Sequence, residues 1–531
     1  MKTCKILFVL AVASILLLSS CKYNLVKSGY NNANDLVHQT SEMESKPYLK
    51  AHLINGDVCI LHDTWQIDSA ETTVSGKGER FNFNRKYIMV GELNISVDSV
   101  VIFETNQKIK GSEIGRIFAL TILTAMDVGL AGYCLSNPKA CYGSCPTFYQ
   151  DATADFHYSD AEGFSNAICP RMQYTDVDAL IVEDNKRKTF EITMKNEALE
   201  THVVDHVELL VYPTMQDEQV LQSSDGRFLL CDQITPLKKA IAAEGEITDL
   251  LYSADKHERF SPSDEANLVS REEIILEFES KEIIEHPALA VDFRQTMMTT
   301  YFIYSAMGYM GGYVSDVFAA MEKSDGNREK LKYGLKSQLG GIEIYTWNEE
   351  SQTWNYCNEF YETDPIAVNR QALELNQKPS DVFKIKIILN KGLWRIDHVN
   401  VFNVKKEIDP IIIELDKLFD KGEPDEVALK AILDPAGNLN SLPGSEYTFH
   451  FTLPETDTAY QFFLRSSGYY LEWMRQSWLK DQDFRKLRQM LNNPKKFLRS
   501  EASFYKEYEE QIESDFWNSR IDTKTFTYHE K

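Results

Sequence analysis

The chain has 531 residues, of which 43% are hydrophobic and 26% charged, with a formal net charge of −24 at pH 7. That length exceeds a single core and implies two to four domains, and the composition is that of a globular protein, not a disordered one. The acidic balance repels nucleic acid and anionic lipid, so no nucleic-acid partner is expected.

The N-terminus reads as an export signal. Lys2 and Lys5 form a short basic region, and Ile6 to Leu18 is an apolar run broken only by Ser14. Such a run has signal-peptide length and is too short to span a bilayer. Leu18-Ser19-Ser20-Cys21 follows and resembles the bacterial lipobox, in which small residues let the peptidase approach the backbone and the cysteine takes the lipid. The expectation is a signal peptide over 1–20, lipidation and palmitate on Cys21, and a flexible, Asn- and Ser-rich tether over 21–48. Loss of Lys2 and Lys5 takes the mature charge to about −26. Lysines, not acids, follow Cys21, which favours the periplasmic face of the outer membrane over the cell surface.

Beyond the tether the pattern turns to strands. Ala51–Ile54 and Val58–Leu61 flank the turn Asn55-Gly56-Asp57, and residues 48–110 read as a small β domain. An apolar helix is expected over 111–136. From Ile117 to Leu135 its only charge is Asp127, so 114–135 is nearly long enough to enter lipid, at a cost of a few kcal/mol for that aspartate. A β-rich domain with a cysteine loop follows over 137–290, with strands at Phe190–Met194 and Val203–Tyr212. A second apolar helix lies within 291–335, carried by Met297–Met321, where Gly308 and Gly312 permit close helix approach. A β-sandwich-like domain spans 336–465 and includes the alternating strand Val382–Leu389. Leu415, Leu418 and Phe419 stand at helical spacing and suggest a helix within 410–432. The segment 466–531 reads as helical, with Phe484, Leu487, Met490 and Leu491 on one face, a break at Pro494, then Tyr505, Tyr508, Ile512 and Phe516. The expected fold class is therefore α+β: mostly β-rich, sandwich-like domains, two buried apolar helices and a helical C-terminus.

Seven cysteines remain after removal of Cys4 and lipidation of Cys21, an odd number in an oxidising compartment. Cys134, Cys141, Cys145 and Cys169 cluster in sequence and are the disulfide candidates, with connectivity open. No cysteine–histidine spacing suggests zinc. His202-Val203-Val204-Asp205-His206 could place two histidines on one helical face for a metal, but its surroundings favour a strand, where the two would stand about 13 Å apart. No metal or cofactor is expected. Glu162, Asp176 and Asp178 follow the cysteine loop, but linear sequence does not show two carboxyls at catalytic separation. Nucleophile-elbow, zincin, Walker and Rossmann motifs are absent. Trp347, Trp354, Trp394, Trp473 and Trp478, with Tyr469 and Tyr470, crowd the C-terminal half. Trp394, Tyr469, Tyr470, Trp473 and Trp478 are taken as candidate binding aromatics, since such rings hold sugars or protein partners, against the alternative of a core role.

Several blocks carry a resemblance. They include Gly76-Lys77-Gly78 after Trp65, Phe103-Glu104-Thr105-Asn106, Asn137 to Tyr149, Ala161 to Ser165, Asn196 to Thr201, Gly392 to Asp397 and Ser467 to Arg475. Together they resemble an uncharacterised family of multidomain lipoproteins of Bacteroidota-type bacteria. The resemblance covers most of the mature chain, implies a lipid-anchored multidomain protein and brings no assigned chemistry. The expected function is a non-catalytic binding or assembly module in the envelope, held to the membrane through lipid on Cys21 and docking an outer-membrane protein. The alternative is a secreted glycan-active hydrolase or carbohydrate-binding lipoprotein.

Overall fold

The computed structural model describes residues 23–30, 49–110, 145–311 and 336–525, apart from short stretches within the last three ranges. It is a β-rich α+β protein of several sheets. The segment expected as a signal peptide, Cys21, the apolar segment 111–136, Cys134, Cys141, Cys169, Trp473 and Trp478 lie outside the described residues. Among the described residues no helix is long and apolar enough to cross a membrane.

The region expected as a small β domain forms its own sheet and core, and the expectation of a flexible tether over 21–48 is corrected at Tyr23–Tyr30, which joins that sheet as a strand beside Val100–Lys110. Its strands run in the order Tyr23–Tyr30, Val100–Lys110, Leu49–Leu53, Val58–Leu61 and Thr73–Phe81, and Tyr87–Ser96 lies on the far side of the last. Trp65, 1% exposed, fills the centre with Leu61, Val74, Ile95 and Phe103. Gly76 is required beside it: a Cβ there would sit 2.8 Å from the Trp65 Cα. That contact explains the spacing of Trp65 from Gly76 noted in the sequence.

The next two expected domains are not separate units. Thr189–Lys195 pairs antiparallel with Glu446–Thr452 in a six-stranded sheet. Glu200–Thr214 pairs along its length with Ala459–Glu472 in a five-stranded one. Phe190 of the first sheet stacks on Phe462 of the second at 5.2 Å, so their inner faces meet as in a sandwich. An eleven-stranded sheet mixes the same two stretches, as where Arg271–Ile284 pairs with Ser380–Asn390. The divisions 137–290 and 336–465 are thus corrected: strands from both complete one another's sheets.

The segment read as a helix over 410–432 begins instead with strands Ile411–Ile413 and Leu415–Asp420, and the helix is Glu426–Leu433. Asp425 caps that helix, accepting from the Val427 and Ala428 N–H groups. The second apolar helix is Met298–Met310, ending at Gly311. Tyr301 packs on Tyr505 at 5.3 Å and Phe302 on Phe497 at 5.9 Å, so C-terminal helices cover it. Gly308 lies against the side chain of Asp481. The C-terminal segment is strand as far as Glu472, then four short helices between Phe484 and Asn518. Pro494 opens the second of these, where its missing N–H costs nothing.

Gly468 marks the tightest approach between the two long strands. A Cβ at this position would lie 2.2 Å from the Val203 carbonyl oxygen and 3.0 Å from the Phe164 ring. Gly468→Ala is therefore expected to destabilise the protein by about 2 kcal/mol through overpacking. A urea midpoint equal to that of the wild type would show that the strands can separate at no cost.

Candidate functional site

The inward face of one strand is unusual. In Tyr174–Leu180 alternation sends Asp176, Asp178 and Leu180 inward, while Val177 and Ala179 pack on the opposite side. A buried strand face should be apolar, yet two of its three positions are aspartates, 9% and 2% exposed.

These aspartates meet three further acids. Glu162 comes from the short strand Ala161–Glu162, and Glu362 and Asp364 from the loop before Asn369–Glu374. All three are buried. One oxygen from each of Asp176, Glu362 and Asp364 lies within 4.8 Å of the others. Hydrogen bonds fix every member. Asp176 accepts from the Phe164 N–H at 3.1 Å, the Val177 N–H at 3.0 Å and the Tyr174 hydroxyl at 3.2 Å. Ser165 donates to Asp364 Oδ1 at 2.5 Å, and Asn369 and Gln371 donate to Glu362 Oε2 at 2.9 and 3.0 Å. Asp178 Oδ2 accepts from the Glu162 N–H at 3.3 Å, while its Oδ1 is buried with no hydrogen-bond partner. Phe164 sits in the left-handed region at φ +37°, strained for an aromatic residue, and its bond to Asp176 helps hold it there.

Burial raises Glu162, Asp176, Asp178 and Asp364 alike. Glu162 is pushed up to about 7 and Asp176 to about 8, chiefly by loss of water. Asp178 and Asp364 lie well above the carboxylate range for the same reason, and the nearby charge of Asp176 pushes both further. Such a cluster can share protons or hold a hard cation through oxygen. It is poorly placed for glycoside hydrolysis, since a sugar must reach between the two carboxyls and these are enclosed.

Cys145 belongs to the same cluster. Its Sγ donates to Glu162 Oε1, and it carries a free thiol, so it enters no disulfide here. Burial and the Glu162 charge push that thiol well above its ordinary range. His202 also lies in the core, with Nε2 2.8 Å from Glu200 Oε1. A bulge between Val204 and His206 separates the two histidines on one long strand, as its surroundings suggested.

Trp394, Tyr469 and Tyr470 are 1%, 0% and 5% exposed, which corrects their assignment as binding aromatics. Trp394 packs between Phe293 and Tyr361, and the Tyr470 hydroxyl donates to the Ser165 carbonyl. The two tryptophans left out of that group do face outward. At the end of the eleven-stranded sheet Trp347 pairs with Trp354 and Tyr345 with Tyr356, ring centroids 5.2 and 5.4 Å apart. Lys384 reaches over Trp347, and Lys386 over Tyr345 and Trp354. Tyr356 is 53% exposed.

Glu162, Asp176 and Asp178 were visible in the sequence as acids after the cysteine loop. Glu362 and Asp364 gave no such sign, being nearly two hundred residues away. The available signal was the Asp-Val-Asp alternation in a strand whose outer positions are apolar.

The fold and site define a β-rich α+β protein with a buried carboxylate cluster and an aromatic sheet face. No family model matches the chain, and no curated protein matches it. Among solved structures, a GH31 α-xylosidase from Xanthomonas citri aligns at 7% identity and a TM-score of 0.14, over 81% of this chain and 37% of that one. This chain thus spans little more than a third of the xylosidase. A chain of the lipid-containing bacteriophage PM2 aligns at 10% identity and a TM-score of 0.09, over 83% and 97%. Neither likeness is close enough to carry an argument.

The thiols provide a test of the core. Cys59 is pushed up to about 11 and Cys231 to about 12 by burial, and burial pushes the Cys145 thiol well above its ordinary range too, whereas Cys357 is half-exposed. Iodoacetamide at pH 8 is expected to label Cys357 and to leave the other three untouched until denaturant is added. Peptide mass spectrometry reads the outcome. Labelling of native Cys145 as fast as Cys357 would mean that the acid cluster is open to solvent.

Proposed function

We propose that this protein is a membrane-anchored envelope lipoprotein acting as a non-catalytic binding or assembly module. Lipid on Cys21 holds it to the periplasmic face of the outer membrane, and an outer-membrane protein is its partner. The family resemblance noted above points the same way. Support for the anchor is the agreement of basic region, apolar run and lipobox at the N-terminus. The observation that carries the binding role is the aromatic face of Tyr345, Trp347, Trp354 and Tyr356. Aromatic residues on an outward sheet face contribute little to the core beneath, and large rings with polar tips dominate protein interfaces. The carboxylates, the other concentration of reactive groups, are buried and hydrogen-bonded as a structural cluster would be. A carbohydrate-binding lipoprotein is the second reading, favoured by the same rings, since a sugar stacks on them as readily as a side chain does.

Two variants test the halves separately. Cys21→Ala is expected to move the protein from the membrane to the soluble fraction and to abolish palmitate labelling; unchanged membrane retention would remove the lipid anchor. Trp354→Ala with Tyr356→Ala, a half-buried and an exposed position at the edge of the sheet, is expected to leave a folded protein whose melting temperature falls by no more than about 5 °C. The same variant should lose at least about tenfold of any outer-membrane protein recovered by crosslinking from intact envelopes. Equal recovery would show that the aromatic face is not the docking surface. Loss of glycan-array binding by that variant would favour the sugar reading.

A further inference from the structure

We infer that the C-terminal helices carry a cationic surface, studded with apolar side chains, that docks this protein on an anionic phospholipid surface. The inference stands whether or not Cys21 carries lipid.

The first observation is charge. The chain has 80 acidic residues to 56 basic ones, yet residues 484–500 hold six basic residues and no acid. Arg485, Arg488, Lys495, Lys496 and Arg499 are exposed, and Lys486 is half-buried.

The second observation is that most of these charges are unanswered. Elsewhere exposed cations meet acids, as Lys188 meets Glu455, Lys378 meets Glu350 and Arg227 meets Glu374. Among the described residues, Arg488, Lys495, Lys496 and Arg499 have no ion-pair partner. The acids flanking the run are engaged otherwise. Asp483 caps the helix Phe484–Asn492, accepting from the Arg485 and Lys486 N–H groups. Glu501, 3% exposed, takes Lys486 at 3.0 Å.

The third observation is where the apolar side chains stand. Phe484, Arg488 and Leu491 lie at i, i+4 and i+7 on the outer face of their helix, across from buried Met490. Phe484 is 46% exposed and Leu491 41%. On the next helix, Pro494–Ser500, Phe497 and Leu498 turn inward and leave Lys495, Lys496 and Arg499 outside. Gln489 donates to Ser500 Oγ at 3.1 Å, and Lys486 lies over the ring of Phe504 at 5.1 Å. The outer faces of these helices therefore adjoin, and Phe504, 51% exposed, adds a third apolar group.

Charge and apolarity together decide the partner. On an interfacial helix, apolar side chains enter the boundary between headgroups and acyl chains while lysine and arginine stay with the phosphates. Each cation near an anionic leaflet adds attraction that falls off within a Debye length. That short range lets a local patch act on a chain that is acidic as a whole. Cations held in no fixed pairing also suit a fluid array of phosphates better than the carboxylates of a partner protein, which must be met in register.

The test uses the full chain carrying Cys21→Ala, so that no acyl chain masks the surface. It is sedimented with vesicles of phosphatidylcholine alone or with about one-third phosphatidylglycerol. Binding is expected to be at least about tenfold tighter on the anionic vesicles and to be lost at about 0.5 M salt. Lys495→Glu with Arg499→Glu should weaken it at least about tenfold, and Leu491→Ser with Phe504→Ser at least about threefold. Lys188→Glu with Lys378→Glu makes the same change in net charge at side chains 86% and 84% exposed, and should bind as the parent does. The basic N-terminus is common to all these variants, so differences among them read the patch. If the reversal variant fails to fold, Lys495→Gln with Arg499→Gln carries the same comparison without adding acids. Equal binding to neutral vesicles, or anionic binding unchanged by the patch variants, would overturn the proposal. Binding to poly-glutamate with none to anionic vesicles would overturn the lipid assignment in favour of an acidic protein.

Discussion

The antiparallel pairing of Glu200–Thr214 with Ala459–Glu472 is the interaction on which the rest of this structure depends. It joins segments some 245 to 272 residues apart, register Thr214 to Ala459 and Glu200 to Glu472. Ala459–Glu472 then presents its other edge to Tyr174–Leu180, which delivers Asp176 and Asp178 to the core. Asn369 locks the incoming acid loop to that same strand, donating to the Val177 carbonyl and accepting from the Ala179 N–H. Without the long pair, neither the acid cluster nor the sandwich of Phe190 on Phe462 has a framework. Closing such long loops costs entropy before any contact repays it, so folding should be slow compared with that of a helical protein of equal size.

Buried charge is handled in two ways within one core. Arg294, fully buried, serves Glu258 and Glu513 and also donates to the Pro365 carbonyl, one residue beyond Asp364. Arg370 serves Asp292, and its neighbour Asn369 serves Glu362. The arginine-paired carboxylates thus lie beside the cluster of Glu162, Asp176, Asp178, Glu362 and Asp364. Removing one partner of a buried pair leaves an uncompensated charge and is more damaging than replacing the pair outright. The loop 361–368 is stitched from both sides, since Gln295 donates its side-chain amide to the Glu362 carbonyl and its backbone N–H to the Asp364 carbonyl, while the Ser159 N–H donates to the Ile366 carbonyl. Such bonds fix the loop on the strands beside it.

Much of the local structure was legible because the strand period is short. The run Val382–Leu389 alternates, and Phe383, Ile385, Ile387 and Leu389 do face inward. The β-branched setting of His202 argued for a strand and a strand is present. The helix suggested by Leu415, Leu418 and Phe419 failed for a specific reason. A bulge between Leu415 and Lys417 inserts one residue, so Leu415 and Leu418 both face inward three positions apart, mimicking helical spacing. The interleaving of 137–290 with 336–465 was illegible because strand partners are set by register and burial across hundreds of residues, which no local pattern encodes. The aromatics failed for a related reason. Trp347 and Trp394 both stand in strand-like sequence, and only the packing of the far face tells the outward ring from the core one.

The cysteines show how burial can replace covalent bonding in the proposed export setting. An odd number of thiols in an oxidising compartment would ordinarily invite mispairing. Here Cys59, Cys145 and Cys231 lie in three different cores, each with its thiol pushed up by loss of water. The thiolate is the form that attacks a disulfide, so a thiol held in its neutral form and out of reach is protected on both counts. Cys145 is protected once more, since its neighbour Glu162 is an acid whose negative charge would repel a thiolate. The acid cluster therefore protects the cysteine beside it from oxidation as long as the core stays closed, and chemical stability of that thiol becomes a property of the same hydrogen-bonded group that organises the site.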